Sequence, residues 1–181
     1  MKEKKAQETI AKIYLDLKMY EEAVFEYQVA LDLNIKSFSC YLGLGKAALR
    51  SKKYELACNS FKQAIKLSKK DKESYLKLLE SYICLSNFKK ALKTLKKINK
   101  IISFDEIAEY KAYIYVKQEK YQEAIKEYLT IEKISWQKHN NLGFCYLKIN
   151  QKEKAIYELK KSLELNPNQS DIVEKIKELE N

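Results

Sequence analysis

The chain has 181 residues, a net charge of +10, 3 Gly and 1 Pro. That length allows a real core in one ordinary domain, and so few turn-formers argue against a fold rich in β-turns and long loops. The basic excess rests on 34 Lys and a single Arg (Arg50) against 25 acids, so the bidentate guanidinium contacts of nucleic-acid readers are nearly missing.

Lys, Glu, Leu and Ala abound, as in helical proteins. The four cysteines, at 40, 58, 84 and 145, form no CxxC pair and read as reduced thiols. The opening residues Met1-Lys2-Glu3-Lys4-Lys5 lack the apolar stretch of a signal peptide. No apolar run approaches the roughly 20 residues of a membrane span. These features place the protein, as an expectation, in the cytoplasm.

A small residue recurs along the chain at Ala23, Ala57, Ala91, Ala124 and Ala155, in steps of 34, 34, 33 and 31. Setting it at offset 20 divides the chain into segments 4–37, 38–71, 72–104, 105–135 and 136–169. In the second segment Tyr41, Leu44, Gly45, Ala48, Tyr54, Ala57, Phe61 and Ala64 hold offsets 4, 7, 8, 11, 17, 20, 24 and 27. Steps of three and four place Tyr41, Leu44 and Ala48 on one helical face. Offset 11 holds Tyr14, Tyr82, Tyr115 and Tyr146 in the other segments, and offset 24 holds Tyr27, Leu95, Tyr128 and Leu159. Residues 170–181 carry a separate apolar stripe of Ile172, Val173, Ile176 and Leu179, with Asp171 and Glu174 spaced as a capping box.

The spacing resembles the tetratricopeptide repeat (TPR), a 34-residue helix–turn–helix unit. The resemblance covers nearly the whole chain in five registered copies. It implies an all-α fold: one domain over 1–181, a right-handed α-solenoid of five helix pairs, closed by a C-terminal capping helix. Gly45 and Gly143 match the family, whereas Ala11, Leu79 and Ala112 replace that glycine elsewhere, and Lys152 replaces the aromatic of the fifth repeat. The glycine favoured between paired helices is missing throughout, and only Asn150 there is at ease in a left-handed conformation. The short fourth repeat predicts a tight link between Ile134 and His139. The N-terminal repeat has no such cover, which leaves that end open to solvent, to self-association or to continuation into something else.

Catalysis finds little support. The one histidine, His139, has no second His for a zinc site, and no Gly-rich phosphate loop occurs. The expectation is therefore no enzyme, no metal and no cofactor. Function is expected to be that of a protein-interaction scaffold. The resemblance implies that offsets 2, 5, 6, 9, 12 and 13 line a concave groove. Tyr110 and Tyr113 hold offsets 6 and 9 of the fourth repeat, Asn140, Asn141 and Phe144 hold 5, 6 and 9 of the fifth, and Glu106 and Glu109 lie one turn apart beside them. These seven residues are the candidate site for a partner peptide or helix. The family's clamp for chaperone carboxylates is not matched, since Glu8, Lys12, Gly43, Glu73 and Lys77 stand at its positions.

Charge points elsewhere. By repeat, with the last helix added to the fifth, the balance is −1, +6, +6, −2 and +1. Lys89, Lys93, Lys96 and Lys100 follow steps of 4, 3 and 4, and Lys62 and Lys66 hold equivalent offsets one repeat earlier. In this family the second helix lies on the convex side. One reading is a solvated outer face. The alternative is a basic stripe for an anionic contact: RNA or another anion, an acidic protein or a membrane surface.

Overall fold

The computed structural model describes the backbone of residues 2–181 and the side chains from Ala6 onward. The residues before Ala6, read above for a leader, lie outside the described side chains. Among the described residues every regular element is an α-helix. They run α1 (Lys2–Asp16), α2 (Tyr20–Asp32), α3 (Phe38–Arg50), α4 (Tyr54–Leu67), α5 (Lys72–Cys84), α6 (Phe88–Ile98), α7 (Phe104–Lys117), α8 (Tyr121–Leu129), α9 (Trp136–Lys148), α10 (Lys152–Leu165) and α11 (Ser170–Glu180). They group into two compact units, one ending at Ile101 and the other spanning Ile102–Asn181.

Each expected repeat is one helix pair. The pairs close around small residues: Ala23, Ala57, Ala91, Ala124 and Ala155 are all fully buried. The residues at offset 24 are buried against them. Gly45 shows why the seam needs small side chains. A Cβ there would stand 2.5 Å from the Phe61 ring, well inside van der Waals contact. At Gly143 the same atom would meet Leu159 at 2.7 Å.

First helices start from side-chain caps. Ser37, Asp71, Ser103 and Ser135 accept from the N–H groups of Cys40, Ser74, Glu106 and Lys138, satisfying donors that the first turn leaves free. Inside each pair the turn passes through a left-handed residue, namely Lys18, Lys52, Ser86, Glu119 and Asn150, with φ between 54° and 62°. The next N–H then reaches back to the carbonyl at offset 11: Met19 to Tyr14, Lys53 to Ala48, Asn87 to Tyr82, Lys120 to Tyr115 and Gln151 to Tyr146. This is the six-to-one bond of a Schellman turn, made here without glycine.

The last helix departs from expectation at its start. It begins at Ser170 with Gln169 as N-cap and no side-chain capping bond, so the Asp171–Glu174 capping box does not form. The Gln169 amide is engaged elsewhere. Its Nε2 donates to the Ser162 carbonyl at 3.2 Å and the Asn166 carbonyl at 2.7 Å. Its Oε1 accepts from Asn140 Nδ2 at 2.6 Å, and the Ser162 hydroxyl donates to the Trp136 carbonyl. This buried knot ties α9, α10 and α11 together. Gln169→Leu leaves those groups unpaired and should lower the stability of the chain by about 1–3 kcal/mol in urea unfolding. At the other end, Ile10, Ile13 and Leu17 stand exposed along one side of the first repeat.

Candidate functional site

The second unit holds a cavity of about 520 Å³ on the side built by its first helices. One wall is α7, which contributes Glu109, Tyr110 and Tyr113. The floor is Tyr128 of α8, only 3% exposed. The opposite wall comes from the α8–α9 link with Lys133 and Ser135, and from α9 with Gln137 and Asn141. The tight link expected between Ile134 and His139 does not form, because His139 lies within α9 and the fourth repeat is shortened in α8, which has 9 residues. The α8–α9 link at 130–135 is nevertheless held at several points. The Asp105 carboxylate accepts from the Glu132 and Lys133 N–H groups at 3.1 and 2.9 Å. Lys138 Nζ donates to the Ile131 carbonyl at 2.6 Å. A fixed wall means little ordering entropy is spent when something enters.

Chemically the cavity is an aromatic cleft with a few polar groups. Tyr113 is 43% exposed, with the Lys117 ammonium over its ring at 5.3 Å. Burial pushes the Tyr128 hydroxyl well above its ordinary value, and Cys145, Glu109 and Tyr113 add to the shift. The phenol therefore stays a neutral donor at physiological pH. Glu109 on one wall and Lys133 on the other give the cleft one charge of each sign.

Four of the seven candidate groove residues, Glu109, Tyr110, Tyr113 and Asn141, line this cavity. The other three do not. The Glu106 carboxylate accepts from the Ser103 N–H at 3.1 Å, completing a capping box at the start of α7. Asn140 is bound into the Gln169 knot. Phe144 is 43% exposed but lies away from the cavity, and the ring packed edge-to-face on it is Tyr121, with centroids 6.1 Å apart, rather than Tyr113. Periodicity missed Tyr128, Lys133, Ser135 and Gln137. Offset 24 marks Tyr128 as seam, and nothing in the pattern signals that the seam opens there.

The lysines divide in a similar way. A second cavity, of about 420 Å³, lies in the first unit between α4 and α6, with α5 as its floor. Lys62, Lys66 and Lys93 line it, joined by Lys90 and Lys97. Lys89, Lys96 and Lys100 are exposed but do not line it.

His139 forms no metal cluster, and among the described residues no group of three or more His, Cys, Asp or Glu is placed to hold an ion. Its Nδ1 pairs with the Glu158 carboxylate at 2.6 Å, both side chains being mostly buried. None of the four cysteines forms a disulfide. Burial raises the Cys40 thiol to about 12, with Glu8 adding to it, and raises Cys145 to about 11. Cys58 is raised mainly by burial. Since the thiolate is the reactive form, native protein should titrate one fast thiol with a chromogenic disulfide reagent, that of exposed Cys84. The other three should appear only on unfolding. Fast reaction of Cys84→Ser would contradict this.

Family models of the tetratricopeptide repeat match residues 5–34, 38–71 and 136–169, more than half of the chain. The chain belongs to the tetratricopeptide repeat family. A TPR repeat-containing protein of Methanocaldococcus jannaschii is 32% identical over 168 residues, 88% of this chain and 29% of that protein. Human serine/threonine-protein phosphatase 5 is 32% identical over 127 residues, 67% of this chain and 26% of the phosphatase. The chain thus spans under a third of either relative. Among solved structures, MamA superposes with a TM-score of 0.76 at 18% identity, covering 94% of this chain and 96% of that one. YrrB, described as a TPR protein with an unusual peptide-binding site, gives 0.67 at 19% identity, covering 92% and 88%. Identities this low speak for the fold alone. TPR folds are generally non-enzymatic scaffolds for protein interaction, and this chain has that fold. No helix among the described residues is long and apolar enough to cross a membrane.

Proposed function

We propose that this TPR protein is a non-catalytic adaptor that holds an extended peptide segment of a partner in the cleft between α7 and α9. The observation that carries the reading is the 520 Å³ cavity with three tyrosines and an opposed Glu109–Lys133 pair. Tyrosine rings give large contact area at small entropic cost. Asn141 and Gln137 each donate and accept, which suits the backbone of an extended chain. An apolar or aromatic side chain of the ligand fills the cleft over Tyr128, and a basic residue beside it meets Glu109. The YrrB description is compatible with peptide capture by this fold. The four unbridged thiols suit a reducing compartment, and we place the protein in the cytoplasm.

A random linear-peptide library selected on the immobilised chain tests this. The reading expects enriched peptides to share an aromatic or large apolar residue with Lys or Arg within a few positions. Glu109→Lys should reverse the preference for the basic residue. Enrichment of acidic sequences only, or indifference to Glu109→Lys, would overturn it.

A further inference from the structure

The first unit carries 22 Lys and Arg against 11 acids, the second 13 against 14. The whole positive excess therefore lies in the first unit, and the cavity between α4 and α6 concentrates it. Lys62 and Lys66 form one wall; Lys90, Lys93 and Lys97 form the other. None of the five makes an ion pair among the described residues. Nor could their own helices readily supply one. No acid occurs from Leu56 to Lys70 or from Ser81 to Phe104. On α5, Glu73 is paired with Lys46 and Glu80 with Lys77. Glu55, at the start of α4, is two turns from Lys62.

Like charges gathered so closely repel, and the floor partly offsets this. The Lys62 and Lys90 ammoniums lie over the same Tyr82 ring, 5.7 and 5.8 Å from its centroid. The ring's negative face attracts both, so the two walls are drawn to one point. The remaining lysines stand free along the walls. Lys62 and Lys66 are one turn apart, and Lys90 to Lys97 covers about two turns, roughly 10 Å.

We infer that this groove is a second docking site, separate from the tyrosine cleft, and that it takes an acidic segment of a partner protein. An extended chain repeats its side chains on one face every 6.5–7 Å or so, a spacing that alternating Asp or Glu residues share with the lysine rows. Nucleic acid fits less well. Single strands bind through exposed rings on which bases stack, whereas Tyr82 is buried beneath its lysines and Tyr75 is half-buried. The groove also lacks arginine. A second copy of this chain is not the occupant, because it nowhere has three acids at successive alternate positions.

The test is fluorescence anisotropy with a labelled peptide of alternating Glu and Ser, beside its Gln isostere and an oligouridylate of equal charge. Wild-type protein should bind the Glu peptide, ignore the Gln peptide, and weaken as salt rises. Lys66→Glu with Lys93→Glu should bind roughly tenfold or more weakly. Lys36→Glu with Lys52→Glu, equal in charge and outside the groove, should change affinity less than about threefold. All these lysines are exposed, circular dichroism checks the folding of each variant, and Lys97→Glu alone provides an independent groove variant. Tyr113→Ala should bind the acidic probe as well as wild type, which separates this site from the tyrosine cleft. Equal losses in both double variants would reduce the effect to net charge and overturn the inference. So would tighter binding of the oligouridylate, or no binding of the Glu peptide.

Discussion

Phe61→Ala should lower the stability of the chain by about 3–5 kcal/mol. The ring is fully buried and stands against the backbone of Gly45, so close that a Cβ at Gly45 would lie 2.5 Å from it. Truncation removes a large apolar area and leaves a void that the rigid crossing of α3 and α4 cannot collapse. Phe25→Ala removes the same ring from an exposed position and should cost under about 0.5 kcal/mol. The converse experiment approaches the seam from its other side. Gly45→Ala gains about 1 kcal/mol of helix propensity, yet the added methyl must push the ring away, and overpacking typically costs about 1–3 kcal/mol. Combining Gly45→Ala with Phe61→Leu relieves that clash, so the double variant should cost at least about 0.5 kcal/mol less than the two singles added. Denaturant midpoints at unchanged slope measure all five variants, the Phe61→Leu single included. Strict additivity would mean that the two residues do not share one steric constraint.

That constraint is why the fold could be read from the chain. Alanine at 23, 57, 91, 124 and 155 and a large apolar residue at offset 24 are demanded by close helix crossings, so periodicity reveals them. The turns were harder. Glycine is missing where the family favours it, yet Lys18, Lys52, Ser86 and Glu119 adopt the left-handed geometry that Asn150 takes more easily. Each such residue costs on the order of 1–2 kcal/mol. The helix pair packed on either side, and the bond back to offset 11, impose the geometry all the same.

Sites were legible by face but not by depth or partner. Offsets 6 and 9 placed Tyr110 and Tyr113 on the side of α7 that lines the cavity. The same arithmetic included Glu106 and Asn140, whose side chains are taken by the Ser103 N–H and by Gln169. The Ser103-x-x-Glu106 spacing is itself a capping-box signal that the offset arithmetic passes over. The engagement of Asn140, by contrast, depends on the course of the loop that carries Gln169, which no sequence period encodes. The lysines make the same point. Steps of 4, 3 and 4 selected Lys89, Lys93, Lys96 and Lys100, whereas Lys90, Lys93 and Lys97 form an equally regular row on α6. Which row faces α4 is decided by the burial of Ala91, Thr94, Leu95 and Ile98.

Tyr113→Ala should weaken binding of a library-selected peptide by about 2 kcal/mol or more, some thirtyfold. Tyr113 is the cavity ring with the most to give. It is 43% exposed before binding, and it shares the cleft with Tyr110 and the buried Tyr128. A ligand side chain seated there would bury its free face, and truncation would open the cleft to water. Stability should fall little, because a half-exposed ring contributes little to the core. Phe144→Ala is the discriminating partner. Phe144 holds the same offset in the next repeat and is equally exposed, but it packs on Tyr121 outside the cavity. A ligand held within the cleft should bind Phe144→Ala as it binds wild type. A ligand laid along the whole row of first helices should lose comparably from either substitution. Isothermal titration with the same peptide measures both, and melting curves check that each variant is folded. Loss of affinity in Phe144→Ala alone would move the site off the cleft. Unchanged affinity in Tyr113→Ala, with a large fall in melting temperature, would make Tyr113 a packing residue and leave the cleft without its anchor.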